Sequence, residues 1–125
     1  MQRNEAQRKA ADRRGHQAES RAAAALEAEG WSVLARRVRT PAGELDLVAE
    51  REGLLAFVEV KARATLGDAA AALGPAQRRR LMQAGEIWMA ANPARGAAGV
   101  RFDVMLVDAE GRVRRIADAF RQGLG

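Results

Sequence analysis

The sequence predicts a single α/β domain of 125 residues. Two segments, from about Arg14 to Glu29 and from Pro75 to about Asn92, repeat their apolar residues at intervals of three and four, which indicates helices. The segments Glu44–Glu50 and Leu54–Ala62 carry apolar residues on both faces, and Arg101–Val107 is almost continuously apolar. Strands lose the alternation of apolar and polar residues when both faces of their sheet are buried. A chain of this length has room for one such core and not for two.

The second and third predicted strands form a hairpin around the two-residue loop Glu52-Gly53. A loop of that length fixes the register, and directly opposed side chains have Cβ atoms about 5 Å apart. One face carries Val48, Leu55 and Phe57 near the turn and, at the open end, Asp46 opposite Glu59 and Glu44 opposite Lys61. The other face is apolar throughout and consists of Leu45, Leu47, Ala49, Ala56, Val58 and Val60.

Three carboxylates and one amine at the end of buried strands are costly to desolvate. Two carboxylates about 4 Å apart repel by about 4 kcal/mol at an effective dielectric of ~20. Folds keep such clusters where a cation neutralises them or chemistry uses them. Ligands that are all oxygens favour Mg²⁺ or Mn²⁺ over zinc, and Lys61 is placed to orient or deprotonate a water. The alternative is a buried salt-bridge network in which Glu44 pairs with Lys61 and Asp46 or Glu59 is protonated.

Two polar side chains on the inner faces of the predicted helices extend the cluster. Glu19 stacks with Gly15 and Leu26 on the side that should face the sheet, where a carboxylate needs a partner. The alternative is that Glu19 lies at the border of this face and points to water. Gln77 lies one turn before the expected buried stripe of the second helix, which comprises Leu81, Ala84, Trp88 and Ala91.

Positive charge indicates a polyanionic partner. The formal net charge is +5 and the pI about 11.1, almost entirely from arginine, because the lysines are Lys9 and Lys61. Arginine suits bidentate phosphate contacts, although a GC-rich genome would produce the same excess. Three arginines directly follow Gln77 and add positive charge to a helix N-terminus, which already favours anions. The alternative is that these arginines form a solvated basic turn without a ligand. The nucleic-acid contacts expected are Gln77, Arg78, Arg79, Arg80 and Arg63.

Composition excludes several classes of protein. Without cysteine there is no disulfide framework, thiol nucleophile or cysteine zinc site. No apolar run is long enough to span a bilayer, so we expect a cytosolic protein that does not contact membranes. Two tryptophans, three phenylalanines and no tyrosine argue against recognition by base stacking.

The remaining segments complete the predicted organisation. Residues 1–14 are expected to be a basic arm that becomes helical before Gly15, residues 15–120 the domain, and residues 121–125 a C-terminal tail. Trp31–Arg39 is a predicted strand that turns into the hairpin through Thr40–Gly43. Ala64–Gly74 is a predicted mobile flap, Arg112–Ile116 a weaker edge strand, and Ala117–Gly125 an amphipathic tail.

The ordered set Gly15-x-x-x-Glu19, Asp46, Glu59-Val60-Lys61 and Gln77 resembles the metal-binding motif of the restriction-endonuclease-like superfamily. Three longer stretches look more closely like the bacterial YraN family. They are Gly43-Glu44-Leu45-Asp46-Leu47-Val48, Phe57-Val58-Glu59-Val60-Lys61-Ala62-Arg63 and Arg101-Phe102-Asp103-Val104. The resemblance covers residues 15–120.

This resemblance implies a mixed central β-sheet flanked by helices, similar to Holliday-junction resolvases. It also implies a catalytic set of Asp46, Glu59, Lys61 and Glu19. Asp46 and Glu59 would ligate Mg²⁺ or Mn²⁺ with help from Glu19 and the carbonyl of Val60, and Lys61 would position or activate the water. The implied function is hydrolysis of phosphodiester bonds in DNA, branched or damaged DNA included. Resolving a four-way junction needs two sites, hence a homodimer.

Two rival interpretations remain at the level of the sequence. A non-catalytic module could keep this architecture and bind nucleic acid or a partner protein, since fold alone does not establish an activity. A purely structural protein leaves the acidic cluster without an explanation. The roles of Glu44 and Gln77 are not assigned by the motif.

Overall fold

The structure, a computed structural model, describes residues 4–62, 65 and 74–120. These residues form one α/β domain with a five-stranded mixed sheet, which confirms the predicted fold class. The predicted tail 121–125 and Arg63 lie outside the described residues, as does the predicted flap apart from Thr65 and Gly74. In chain order the elements are α1 (Glu5–Ala28), β1 (Ser32–Thr40), β2 (Gly43–Arg51), β3 (Leu54–Ala62), α2 (Pro75–Ala91), β4 (Gly99–Val107) and β5 (Val113–Phe120).

The strands lie side by side in the order of the chain, from β1 at one edge to β5 at the other. All neighbours are antiparallel except β3 and β4, which run parallel and are connected through α2. A parallel pair requires a crossover of this kind, because its second strand must start again at the same end of the sheet. The central strand β3 therefore has β2 on one side and β4 on the other, and each of the three contains a run of buried residues.

The hairpin of β2 and β3 has the predicted loop and register. Glu52 and Gly53 both have positive φ, 52° and 80°, as a two-residue hairpin loop requires. The ladder runs from the pair Arg51–Leu54 to the pair Leu47–Val58 and stops there. The expected ladder pairs of Asp46 with Glu59 and of Glu44 with Lys61 are therefore not formed. Beyond the ladder the side chain of Asp46, instead of the backbone of β2, receives a hydrogen bond from β3.

Each face of the sheet has its own core. On the α2 side, Phe57 packs against Phe102 and Trp88 with ring centroids 5.5 and 5.9 Å apart. On the α1 side, Leu26 and Trp31 cover the middle of the sheet. The α1 side combines four alanines with larger apolar side chains. Its buried residues are Ala22, Ala23, Leu26, Trp31, Leu47, Ala49, Ala56, Val58 and Met105.

Leu45 packs on the α2 side, so the prediction that it shares a face with Leu47 is wrong. Its ladder partner in β1, Val38, packs on the α2 side as well. Between the pairs Arg36–Leu47 and Val38–Leu45 lies Arg37, whose φ of 50° breaks the alternation of β1. The end of the β1–β2 ribbon is therefore turned relative to the rest, and it carries Leu45 to the opposite core.

Helix α1 begins at Glu5, so most of the predicted basic arm is helical. The cap explains the early start: Asn4 accepts a hydrogen bond from the backbone N–H of Gln7, whose side chain accepts one from Asn4 in return. The C-terminus lies where the sequence indicates, with Gly30 at φ 90° directly after the cap. The division into arm, domain and tail stays a prediction.

Helix α2 also has its predicted start at Pro75 and its end before Asn92. Its buried residues are Leu81, Ala84 and Gly85, whereas Ala91 is exposed, which corrects the predicted stripe. At the other end of the chain, β5 extends to Phe120 through residues predicted as a tail, because they pair with β4. Neither described helix is long and apolar enough to cross a membrane.

Candidate active site

The open end of the hairpin brings two carboxyl groups together. Asp46 Oδ2 accepts the backbone N–H of Val60 at 2.8 Å, and the Asp46 side chain is also hydrogen-bonded to that of Glu59. Burial first, and the negative charge of Glu59 next, raise the pKa of Asp46 to about 8. At neutral pH Asp46 therefore holds a proton that it can donate to Glu59, while the Val60 N–H opposes this shift.

Glu59 is held from two further directions. Its side chain is only 7% exposed, and its Oε1 lies 2.8 Å from Nζ of Lys61. The same oxygen accepts a hydrogen bond from Nε2 of Gln77 at 2.9 Å. Lys61 is thus paired with Glu59, two residues before it in β3, and not with Glu44 as the salt-bridge alternative assumed. Gln77 brings the first turn of α2 to the acidic cluster and accepts a bond from Arg80 at 2.6 Å.

Glu19 reaches the cluster from α1. Its Oε1 accepts a hydrogen bond from Nε of Arg37 at 2.7 Å, and its side chain is only 13% exposed. The expectation that Glu19 faces the sheet therefore agrees with its position, although its ion-pair partner is an arginine of β1. Gly15, one turn earlier, lies close to the same guanidinium: a Cβ there would be 3.6 Å from Arg37.

Glu19, Glu44 and Asp46 present one carboxylate oxygen each within 4.8 Å of one another. Around an octahedral Mg²⁺, neighbouring oxygens are about 3 Å apart and opposite ones about 4 Å, so these three would need to approach one another by up to about 2 Å to share an ion. Their donor set, oxygen only, also fits Mg²⁺ or Mn²⁺. This group includes Glu44, whose role the sequence left open, and not Glu59. The predicted metal roles of Glu59 and of the Val60 carbonyl stay predictions.

A cavity of about 230 Å³ opens over the cluster on the side of α2. Carboxylates form its floor, and Arg80 at the start of α2 forms one wall. Arg78 and Arg79, beside it in the helix, are exposed. A phosphate in this cavity would lie between Arg80 and the carboxylates. The full lining is Gly43, Glu44, Asp46, Glu59, Gln77, Arg80 and Leu81.

Two features of this region were missed at the level of the sequence. Arg37 was not identified, because nothing in the sequence marks its left-handed backbone or directs its side chain towards Glu19. The family motif residue Asp103 was quoted without a role. It is fully buried, with Arg101 at 2.9 Å and Arg115 at 2.6 Å, and both guanidinium groups lie 5.0 Å from the ring centre of Trp31. These residues hold β4, β5 and the end of α1 together.

The comparisons with known proteins agree on one family. The profile of a family described as "Uncharacterised protein family UPF0102" matches residues 18–107, a range that includes Glu19, the hairpin and Gln77. A UPF0102 protein of Granulibacter bethesdensis is 60% identical over 111 residues, which cover 89% of this chain and 70% of that protein. UPF0102 proteins of Bradyrhizobium diazoefficiens and Rhodopseudomonas palustris BisB5 are 51% and 55% identical over 114 and 101 residues. These alignments cover 91% and 81% of this chain and 86% and 77% of the relatives.

Proposed function

Since the chain belongs to the uncharacterised protein family UPF0102, we propose that it is a divalent-metal-dependent endonuclease that hydrolyses phosphodiester bonds in DNA. Membership also confirms the resemblance to the YraN family. One observation carries the proposal: Asp46, Glu59 and Lys61 lie together at the separated ends of two buried strands, beside Glu19 and Glu44. Two of these carboxyl groups, Glu19 and Glu59, have side chains only 13% and 7% exposed, and burying carboxyl groups at one point costs stability that a purely structural protein would not spend.

Glu19, Glu44 and Asp46 would hold a Mg²⁺ or Mn²⁺ ion, and Glu59 would join them from β3. The ion, when bound, supplies charge neutralisation at a phosphate oxygen and lowers the pKa of a water. The chain's part is to present carboxylate oxygens at a fixed spacing, and the Val60 N–H fixes Asp46 for that task. Because Asp46 holds a proton at neutral pH, it must release that proton before it can act as a ligand.

Lys61 is the group best placed to act on the attacking water. Its side chain is 16% exposed, and its Nζ is oriented by Glu59 at 2.8 Å. An ammonium held in this way can orient a water in line with the phosphorus and stabilise the charge that develops there. Gln77 bonds the same oxygen of Glu59, so it fixes the direction from which Lys61 approaches.

The expected substrate follows from the cavity and its charge. Arg80 lines the cavity together with the carboxylates, and it lies in the first turns of α2, at a helix N-terminus that favours anions. Arg78, Arg79 and Arg80, with Gln77 and Arg63, are the proposed contacts to DNA phosphates in the cytosol. If the substrate is a four-way junction, two sites must act together and the active form is a homodimer.

A cleavage panel tests this function. Single-stranded, duplex, flapped and four-way DNA are incubated with Mn²⁺ and the wild-type chain, Lys61→Ala or Lys9→Ala. Lys9 is the natural control, because it is the other lysine of the chain and its ion pair is with exposed Glu5. We expect Lys61→Ala to lower cleavage by a factor of about 10² or more and Lys9→Ala to leave it unchanged. Equal loss in both variants, or no cleavage of any DNA, would contradict the proposal.

A non-catalytic nucleic-acid-binding or protein-binding module is the second candidate, and one observation favours it. In the described part of the chain, Glu59 is paired with Lys61 and Glu19 with Arg37, and Asp46 holds a proton, so the cluster is largely compensated without an ion. Such a module would bind DNA or a partner equally well with and without Mn²⁺ and would cleave no DNA in the panel.

A further inference from the structure

Arg37 has a backbone conformation that its place in the fold does not require. Its φ is 50° in the middle of β1, between the ladder pairs Arg36–Leu47 and Val38–Leu45. A left-handed conformation is strained for a residue with a side chain, and here it serves no hairpin loop or helix end. Strain of this kind persists where the surroundings impose it, and it concentrates at functional sites.

The contacts of Arg37 show what this conformation achieves. Its Nε donates to Glu19 Oε1 at 2.7 Å. That hydrogen bond, followed by the negative charges of Glu19, Glu44 and Asp46, raises the pKa of Arg37. These carboxyl groups are the same three whose oxygens lie within 4.8 Å of one another. One guanidinium is therefore bonded to one carboxylate of this group and lies within electrostatic range of the other two.

Arg37 also lies on the outer side of this group. Its side chain is 38% exposed, against 13% for Glu19, so the guanidinium can move to solvent while the carboxylate cannot. Nη2 of the guanidinium lies against α1 at Gly15, where a Cβ would be 3.6 Å away. The pair is thus asymmetric: the Glu19 carboxylate is largely buried, whereas the guanidinium bonded to it is more exposed.

We propose that Arg37 is the built-in counter-cation of the Glu19, Glu44 and Asp46 group, and that a divalent ion binds there by displacing Arg37 from Glu19. This inference rests on the proposed function, because it concerns the same metal site. An ion about 2.1 Å from a Glu19 oxygen and a guanidinium bonded to that carboxylate would be two cations at contact distance. Their repulsion makes the two binding events compete. Arg37 is therefore a positioning residue that sets the affinity of the site.

The test measures the affinity for Mn²⁺ by calorimetry, with the whole chain and without DNA. Arg37→Ala keeps the Cβ atom, hence the backbone strain, and removes the charge; Arg37→Gln does the same with a longer side chain. Arg36→Ala is the matched control, since it removes the same charge from the exposed neighbouring residue of β1, which pairs with Leu47. We expect both Arg37 variants to bind Mn²⁺ at least about fivefold more tightly than the wild type. Arg36→Ala should stay within about twofold of it, since surface charges are screened.

A second measurement follows the side chain directly and does not depend on a variant. The Nε–Hε NMR signal of Arg37 in the wild-type chain should report the hydrogen bond to Glu19. Saturating Mg²⁺, which is diamagnetic, should shift this signal to the position typical of a solvated arginine. An unchanged signal at saturation would overturn the proposal.

The outcomes separate this inference from the function on which it rests. Equal affinity in the wild type and both Arg37 variants would overturn the role of Arg37 and leave the metal site intact. Absence of Mn²⁺ binding in all of them would overturn the metal site and the inference together. Binding by the Arg37 variants with none by the wild type would support the inference in its strongest form.

Discussion

At the scale of single residues, Asp46 decides the chemistry of the cluster. It is a carboxyl group that keeps a proton at neutral pH and is bonded to both a donor, the Val60 N–H, and an acceptor, Glu59. A protonated Asp46 satisfies both partners and avoids two negative charges side by side. The cluster is therefore stable without an ion. The repulsion between the carboxylates of Asp46 and Glu59 appears only when Asp46 ionises.

This arrangement predicts an unusual dependence of stability on pH. The pKa of Asp46 is about 8 in the folded chain against 3.8 ordinarily, so the folded chain binds the additional proton between these values. The stability from that proton is fully present below about pH 4 and is lost as the pH rises towards 8, by at most about 1.4 kcal/mol per pH unit. Urea unfolding of the metal-free chain should show this decline.

Asp46→Asn provides the comparison. The amide can accept from Val60 and donate to Glu59, so it reproduces the protonated acid without titrating. The difference in unfolding free energy between Asp46→Asn and the wild type should therefore grow in favour of the variant from pH 5 to pH 8. Parallel curves for the two proteins across this range would show that Asp46 does not titrate there.

Residue positions were predictable where the local sequence fixes them. The two-residue loop sets the register of the hairpin, and alternation then brings Asp46, Glu59 and Lys61 to one end. The pairing of Lys61 was not predictable, because the ladder stops at Leu47–Val58 and Lys61 turns to Glu59 instead of Glu44. Where a ladder ends depends on side chains from other elements.

At the scale of elements, the packing of α2 on the sheet depends on one glycine. A Cβ on Gly85 would lie 3.0 Å from the ring of Phe57 and 3.2 Å from that of Phe102, and both rings are buried. Alanine elsewhere in a helix gains about 0.5–1 kcal/mol over glycine. At this position the rings cannot move away, so overpacking, which costs about 1–3 kcal/mol, dominates.

Gly85→Ala should therefore destabilise the chain, and Gly15→Ala is the matched change in the other helix. A Cβ on Gly15 meets Arg37 at an ordinary 3.6 Å, so we expect a gain of about 0.5–1 kcal/mol there. Denaturant unfolding of both variants measures the difference. If Gly85→Ala proved as stabilising as Gly15→Ala, the close contact between α2 and Phe57 would be refuted.

Elements with local signals were the ones predicted correctly. Pro75 and Asn92 mark the ends of α2, and Gly30 marks the end of α1. The extent of β5 was predicted wrongly, because Ala117–Phe120 forms strand only by pairing with β4, a partner far away in the sequence. The early start of α1 at Glu5 was readable from Asn4 and Gln7, a capping signal that the basic composition of the segment obscured.

At the scale of the whole molecule, the net charge of +5 predicts how binding to the proposed partner, DNA, depends on salt. Binding to a phosphate backbone releases counterions, so the logarithm of DNA affinity should fall linearly with the logarithm of salt concentration. Replacing Arg78, Arg79 and Arg80 with alanine should flatten this slope by about 0.9 for each phosphate that the variant no longer neutralises. An equal-charge triple at the exposed residues Lys9, Arg13 and Arg114 controls for net charge. Equal slopes for the two triples would remove the start of α2 from the proposed DNA-binding surface.

The central claim is that the acidic cluster is a metal site, and thermal melts of the wild type and Asp46→Asn, each with and without Mn²⁺, test it most directly. A ligand stabilises a protein by binding its folded state. We therefore expect Mn²⁺ to raise the Tm of the wild type and to leave that of Asp46→Asn unchanged. Without Mn²⁺ the variant should be at least as stable as the wild type. A structural network gives the opposite result: a wild type that does not respond to Mn²⁺, and a variant destabilised by about 3–5 kcal/mol.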